Sequence, residues 1–171
     1  LFTADGYFYN GRALDCLDKV RDIVAAIPSI GQVIVVPYAG SDFELASIPG
    51  ASPLDEAIEP FRGLEAGDLR FVRVPFDHPL YVMYSSGTTG APKCILHGAG
   101  GTLLKHLVEH LLQTDVKPDD KLFYFTTCGW MMWNWLVSGL AAEATLLLYD
   151  GSPFHPDASA LFNFAERERM T

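Results

Sequence analysis

Apolar and polar positions follow several distinct periods along the 171-residue chain, and these periods predict alternating helices and strands. Apolar residues recur at helical spacing over residues 13–27, and Pro28 is predicted to end this helix. Residues 32–37 are continuously apolar and β-branched, which is typical of a strand covered on both faces. Ser52 is predicted to cap a short helix in which Pro53 is the first helical residue.

The second half of the chain continues the alternation. Residues 69–76 alternate in polarity and predict a strand, and the apolar residues 80–84 predict a buried strand. Further patterns predict strands over 94–97, 121–126 and 144–149, and helices over 102–113, 131–143 and 157–169. This order favours an α/β fold with a largely parallel sheet flanked by helices. We expect residues 1–171 to form one domain, because no clear linker separates them.

One polar stretch, residues 84–93, interrupts the pattern between two predicted strands. Its last nine residues contain four hydroxyl side chains, two glycines and Lys93. Glycines let backbone N–H groups turn toward a common point, hydroxyls add donors, and lysine adds positive charge, so the stretch indicates an oligophosphate site. A Walker loop is excluded because Pro92 precedes Lys93 and Cys94 follows it. The alternative is a plain polar turn in a hairpin.

The stretch 85–93 resembles the signature loop of the adenylate-forming superfamily, which includes acyl-CoA synthetases, firefly luciferase and the adenylation domains of peptide synthetases. The flanks at 7–12, 97–101, 126–135 and 147–153 are similar to acetoacetyl-CoA synthetases in particular. The resemblance covers nearly the whole chain, but only a middle slice of that larger enzyme. Leu1 in place of Met agrees with an expected fragment of the N-terminal AMP-binding domain.

The resemblance implies a reaction and a set of residues for it. Acetoacetate and ATP would give acetoacetyl-AMP and pyrophosphate, and CoA would then give acetoacetyl-CoA and AMP. Lys93 is implied as the catalytic residue that neutralises the departing pyrophosphate. The implied nucleotide-binding residues are Ser85, Ser86, Gly87, Thr88, Thr89, Gly90 and Lys93, and the implied substrate-binding residues are Gly129, Trp130 and Asn134. The alternative is that Trp130, Trp133 and Trp135 are core aromatic residues.

Magnesium is implied as well, but the sequence offers no recognisable ligand for it. In the family the metal-binding glutamate, the ribose-binding aspartate and a C-terminal catalytic lysine lie further downstream. The isolated chain is therefore expected to be inactive as a synthetase. Its expected partners are acetoacetate, ATP, CoA and the remainder of its own enzyme.

Charge and cysteine content limit the other functions. A formal net charge of −9 argues against nucleic acid and anionic membranes as partners. Three scattered cysteines fit a reducing cytoplasm better than a disulfide framework. Two functional alternatives stay open: a short-chain synthetase for acetate or propionate, and a non-catalytic α/β module whose uncovered apolar surface drives self-association. The tryptophan-rich residues 128–135 favour acetoacetate.

Two reactive motifs have simpler interpretations. His106, Glu109 and His110 match a zinc-peptidase pattern, but they lie opposite a leucine stripe. They are therefore expected to face solvent or whatever packs outside the helix, and no third ligand follows at a recognisable spacing. Cys94 lies beside Lys93, yet it is expected to be a buried strand residue, since no histidine is placed as its base. The related enzymes usually carry glycine at that position.

Overall fold

The computed structural model describes residues 1–40, 44–85 and 90–171, the side chain of Ala66 excepted. These residues divide into two compact units. The first unit comprises residues 1–70 with 150–158, and the second comprises residues 71–149 with 159–171. That the whole chain forms one domain stays a prediction.

The first unit holds a small parallel sheet and a hairpin. Its elements are β1 (Phe2–Ala4), β2 (Gly6–Tyr9), β3 (Arg12–Asp15), α1 (Leu17–Ala26), β4 (Val33–Val36), β5 (Ala51–Pro53) and α2 (Leu54–Ile58). The sheet has the order β1-β4-β5 with parallel pairing, and β2 pairs with β3 in antiparallel fashion. The apolar stripe of α1 is buried against β4, in a cluster of Leu17, Val20, Val24, Val33, Val35 and Ile48.

Two boundaries in this unit differ from the sequence prediction. Residues 12–15 form a strand, because Asn10 and Gly11 adopt positive φ angles of 51° and 73° and turn the chain back on β2. The helix therefore begins at Leu17 rather than at residue 13. Ser52 does not cap a helix, because the chain stays extended through Pro53 to pair with β4, and Pro53 is the residue that precedes the helix.

The second unit contains the loop-bearing strands and three helices. Its elements are β6 (Pro79–Ser85), β7 (Lys93–Gly98), α3 (Ala99–Val108), a π-helical turn (Glu109–Gln113), β8 (Lys121–Phe123), α4 (Met131–Ser138), a 3₁₀ turn (Gly139–Ala142), β9 (Thr145–Leu147) and α5 (Ala160–Glu168). Strands β8 and β9 pair in parallel, and β6 and β7 form an antiparallel hairpin. The expected α/β class, with parallel strands and helices, is confirmed.

Two expectations for the second unit are wrong, the strand over residues 69–76 and the burial of β6. Residues 69–76 are assigned to no strand, and Phe71 and Val72 are 88% and 85% exposed, because no segment of the described chain pairs with them. Strand β6 is not buried, since Leu80 and Val82 are about half exposed. The loop-bearing strand pairs with β7, and within the described ranges it does not pair with β8.

The α-helices α1 and α3 have ten residues each. Across residues 1–40, 44–85 and 90–171, no helix combines the length and the apolar character needed to cross a bilayer.

Candidate functional site

The predicted phosphate loop connects β6 to β7 at the turn end of the hairpin. The register of the two strands places Ser85 opposite Lys93 and Tyr84 opposite Cys94. Because directly opposed residues in an antiparallel pair lie only about 4.5–5.5 Å apart, Ser85 and Lys93 lie side by side where the strands enter the loop. The expected loop between two strands is thus present, with Ser85 and Lys93 at its base.

The far side of the loop requires glycine at residue 90. Gly90 has a φ of 147°, which L side chains rarely adopt, and a Cβ there would meet no atom of the described chain within 4 Å. Gly90 and Lys93 are both exposed. The other predicted loop residues, Ser86, Gly87, Thr88 and Thr89, lie outside the described residues.

The predicted acyl-binding residues line one groove together with β6. The groove has a volume of ≈ 470 Å³, and its lining residues are Leu80, Tyr81, Val82, Met83, Tyr84, Cys128, Gly129, Trp130, Met131 and Asn134. One wall is the strand that leads into the loop, and the other is the start of α4. The structure therefore brings Gly129, Trp130 and Asn134 beside the strand that ends at Ser85.

Side-chain geometry fixes the α4 wall of this groove. The amide Nδ2 of Asn134 donates to the thioether sulfur of Met83 at 3.1 Å, which ties the helix to β6. Trp130 is the residue that precedes α4, and its backbone N–H donates to the carbonyl of Thr127 at 3.0 Å. Its indole ring is 70% exposed, so it is available to a ligand in the groove and contributes little to the core.

Trp135 has a different role, because its ring packs inside the unit. It lies against the imidazole of His110, with ring centroids 4.3 Å apart, and edge-on to Tyr124 at 5.9 Å. Trp130 therefore lines the groove, while Trp135 packs against His110 and Tyr124 within the unit.

Of the two environments expected for the histidines, solvent and packing against another element, the structure shows the second for His110, in the π turn after α3. His110 is fully buried, while Leu104 and Leu112 of the leucine stripe are 57% and 77% exposed. The helix turns its histidine face toward α4, because His110 finds hydrogen-bond partners there and the leucines find no cover in the described chain. The described residues contain no cluster of three metal-binding side chains, and none of them provides a ligand set for magnesium or zinc.

Cys94 also differs from its expected environment. It is exposed on β7 rather than buried, because the hairpin presents this part of the strand to solvent. Cys128 is exposed as well, and it lines the groove beside Trp130.

A buried carboxylate in the first unit was not found from the sequence. Burial of Asp5 acts to raise its pKa, but backbone N–H groups of Gly6, Tyr38, Ala39 and Gly40 donate to its oxygens at 2.7 to 2.9 Å and hold the pKa below its ordinary value. The side chain anchors the segment after β4. Its only sequence signal is an acidic residue between two short apolar stretches, which is too common to identify it.

Glu109 lies in the same π turn and is partly buried. The ammonium of Lys105 lies 2.6 Å from its carboxylate and lowers the pKa of Glu109, although partial burial opposes the shift. His106 and the side chain of Trp135 act on this pKa in the same direction as Lys105.

Comparison with known proteins finds similarity to CoA synthetases over most of the chain. It is 54% identical over 98% of its length to acetoacetyl-coenzyme A synthetase of Rhizobium meliloti (strain 1021), and 50% identical over 91% to malonamoyl-CoA synthetase vrtB of Penicillium aethiopicum. The structure of acetoacetyl-CoA synthetase from Streptomyces lividans is similar over 100% of the chain, with a TM-score of 0.87 and 42% identity.

These matches span a minor part of the relatives. The chain covers 25% of the Rhizobium protein, 22% of the Penicillium protein and 25% of the Streptomyces structure, so it spans about a quarter of their length. The resemblance noted for residues 85–93 and their flanks is confirmed. The family described as AMP-binding enzyme matches residues 8–171, and the chain therefore belongs to the AMP-binding enzyme family.

Proposed function

We propose that this chain supplies the pyrophosphate cradle and one acyl-pocket wall of an AMP-forming ligase that converts acetoacetate to acetoacetyl-CoA. The observation that carries the proposal is the groove. It joins Trp130 and Asn134 to the strand that ends at Ser85, directly opposite Lys93. A carboxylic acid in the groove would lie beside a loop of phosphate-binding composition, as its activation by ATP requires.

The chemistry assigned to these residues is electrostatic. In the first step a carboxylate oxygen of acetoacetate attacks the α-phosphorus of ATP, and the bond from that phosphorus to the bridging oxygen of pyrophosphate breaks. Lys93, Ser85 and the loop residues Ser86, Gly87, Thr88, Thr89 and Gly90 are proposed to hold the departing pyrophosphate. In the second step the CoA sulfur attacks the acyl carbon, and AMP leaves with the electron pair.

The acyl wall is assigned to three residues. Trp130 is proposed to pack on the acyl chain and to border the approach of the thiol, and Gly129 leaves room beside it. The amide of Asn134 is proposed to donate to the keto oxygen. Its present bond to Met83 shows that the group already points along the groove wall toward β6.

Magnesium belongs to the proposal only through the family. The residues described in the structure offer no set of oxygen ligands for it, so we derive no step through the metal. ATP and CoA as substrates, a cytoplasmic location and the absence of nucleic-acid or membrane partners are likewise proposed. The net charge of −9 supports the last point, since it disfavours polyanionic surfaces.

The acyl substrate has one specific competitor. The Penicillium relative at 50% identity is named for malonamoyl transfer to CoA. Malonamate and acetoacetate share a carbonyl group at the same position, so Asn134 could bind either. A substrate profile that compares acetoacetate, malonamate, acetate and propionate decides among them. We expect acetoacetate to give the highest kcat/KM.

The direct test is ATP–pyrophosphate exchange by the complete ligase that contains these residues. We expect exchange that depends on acetoacetate, together with release of AMP when CoA is added. Exchange that is absent with every carboxylic acid would contradict the proposal. The 171-residue chain alone serves as a control, and we expect it to show no exchange.

A second candidate is a non-catalytic module that associates with itself. The exposed leucines of α3 and its π turn favour it, Leu112 at 77% exposure most of all. Light scattering of the isolated chain, combined with calorimetric titration of ATP, separates the two. Oligomers without nucleotide binding and without activity in the complete protein would favour the module.

A further inference from the structure

The π turn that follows α3 buries a histidine against the back of the groove-forming helix. His110 has 0% exposure, and no water-facing surface remains to explain a polar side chain at this position. The turn spans Glu109–Gln113, and the backbone N–H of Thr114 donates to the carbonyl of Glu109 at 2.8 Å, five residues back. Such π turns occur frequently at functional positions of proteins.

One ring nitrogen of His110 connects the turn to α4. The Nε2 atom lies 3.0 Å from the carbonyl oxygen of Trp135 and 3.0 Å from the hydroxyl of Ser138. A carbonyl oxygen can only accept, so the tautomer that satisfies this contact carries its proton on Nε2. Trp135 lies in the last turn of α4, and its carbonyl already accepts from the hydroxyl of Ser138 at 2.6 Å, so His110 supplies a second donor to it.

The second ring nitrogen of His110 lowers the stability of the folded chain. Nδ1 is buried and has no hydrogen-bond partner among the described residues. A buried polar atom without a partner lowers stability, whereas an apolar side chain of similar size would fill the space without this penalty. A donor at Nε2 therefore has to be worth more than the unsatisfied acceptor at Nδ1.

The connected helix also carries the acyl wall. Asn134 precedes Trp135 directly, and it donates to Met83 across the groove. Trp130 and Met131 stand at the start of the same eight-residue helix and line the groove. Because the helix is short and rigid, a shift of its last turn moves the groove wall with it.

We infer that His110 is a positioning residue for the acyl pocket: its Nε2–H bond to the Trp135 carbonyl and its ring contact hold α4 at the distance from β6 that the acyl substrate needs. The role rests on the proposed function, because it specifies how the wall assigned to acetoacetate is kept in place.

The test compares two variants of nearly equal shape in the complete ligase. His110→Gln keeps an amide donor near the position of Nε2, whereas His110→Met has similar length and no donor. We expect His110→Met to raise the KM for acetoacetate about tenfold, the equivalent of one lost hydrogen bond, and His110→Gln to raise it less than about threefold. The KM for ATP should change less than twofold in both, since the phosphate loop lies on the hairpin.

Leu112→Ala is the matched control, because it alters the same π turn at a side chain that is 77% exposed. It should leave both KM values unchanged. Equal acetoacetate KM values for His110→Met and the wild type overturn the positioning role, and so does an equal rise in the glutamine and methionine variants. Parallel rises in the KM values for ATP and acetoacetate indicate general loss of structure and also overturn it.

A third variant covers the case in which His110→Met does not fold. Trp135→Phe keeps the backbone carbonyl but reduces the ring that stacks on His110, and we expect a rise of about threefold in the KM for acetoacetate alone. An unchanged KM in that variant contradicts the inference. A wild-type enzyme that uses another carboxylic acid contradicts the proposed substrate instead, and the same variants are then compared with that acid.

Discussion

The hairpin of β6 and β7 and the helix pair of α3 and α4 contribute to the same groove in opposite ways. The hairpin exposes its apolar side chains, with Val82 at 54% and Leu96 at 60%, and carries polar residues where its strands enter the connecting loop. The helix pair buries a polar side chain, His110, and exposes part of its leucine stripe. In the proposed function the hairpin presents chemical groups to a ligand, and the helix pair sets the position of the facing groove wall.

The difference separates two kinds of mutational effect. Side chains at the end of the hairpin make few contacts within the described chain, so their loss should affect activity and leave stability unchanged. Side chains between or beneath the helices are packed, so their loss should affect stability or substrate affinity. The four predictions below test this separation, beginning with the largest expected effect.

Lys93→Ala should reduce the rate of ATP–pyrophosphate exchange in the complete ligase by about 10²–10³-fold, because a preorganised charge beside the departing pyrophosphate is lost. The free energy of unfolding of the 171-residue chain should change by less than about 0.5 kcal/mol, since the side chain is exposed. Lys117→Ala is the control, because this lysine pairs with Asp115 on an exposed turn away from the loop.

The result distinguishes a chemical loop from a structural one. Unchanged exchange in Lys93→Ala would remove the lysine from the mechanism. A folded wild type beside an unfolded Lys93→Ala variant would show that the hairpin end is packed after all, and the contrast with the helix pair would then fail.

Two adjacent glycines at the start of α3 offer a matched test of stability. A Cβ on Gly100 would lie 2.2 Å from Cδ2 of Phe76 and 2.6 Å from its Cγ, whereas a Cβ on Gly101 meets nothing within 4 Å. Gly100→Ala should therefore lower the free energy of unfolding by about 1–2 kcal/mol. Gly101→Ala should raise it by about 0.5–1 kcal/mol, because alanine favours the helix.

Urea unfolding of the chain measures both changes. Equal stabilities for the two variants would mean that the Phe76 ring moves aside freely, since it is itself 63% exposed. The junction between the hairpin and α3 would then be less rigid than the close approach indicates.

The hairpin was predicted well because residue type and order carry its signal. The strands of 80–84 and 94–97 were predicted close to their observed bounds, and the glycines, hydroxyls and Lys93 between them predict a phosphate loop. Parallel pairing and the class of fold also followed from the order of elements. Residues 13–15 were predicted as part of a helix, but they belong to the strand after the turn at Asn10 and Gly11.

The helix pair was misread because periodicity shows that a helix has two faces without showing which one is covered. The leucine stripe of α3 is the more apolar face, and the rule that apolar faces are buried predicts that this face is the covered one. In the described chain the cover comes from α4, which lies on the histidine side. The ring contact and the hydrogen bonds of His110 reveal this, and the hydrogen bonds join residues 25 and 28 positions apart.

Trp130→Ala should act on substrate affinity alone. Its ring is 70% exposed at the edge of the groove, so its removal leaves the core intact. We expect the KM for acetoacetate to rise about tenfold in the complete ligase, because the acyl chain loses its apolar contact. Phe162→Ala is the control, since this ring on α5 is 77% exposed and lines no part of the groove.

An acetoacetate KM that is unchanged by Trp130→Ala would leave the groove without its main ligand contact. A lowered free energy of unfolding would instead place Trp130 with the packed residues, and would blur the distinction between the groove surface and the support behind it.

The smallest expected effect is a pH dependence that arises in the helix pair. Burial lowers the pKa of His106 from its ordinary value near 6.5; the charge of Glu109 opposes this, while His110, His97 and Lys105 add to it. The folded chain therefore takes up a proton at His106 less readily than the unfolded chain. The contribution of His106 to the free energy of unfolding is fully present above pH 6.5. It declines as the pH falls from there through the lowered pKa of the folded chain.

Urea unfolding at a series of pH values between about 7.5 and 5 measures the decline, and His106→Gln should flatten it because glutamine does not titrate. Leu112→Ala replaces an exposed side chain that does not titrate, and it should keep the wild-type slope. If the His106 variant also keeps the wild-type slope, the titrating group lies elsewhere in the chain. The helix pair would then make no pH-dependent contribution to the free energy of unfolding.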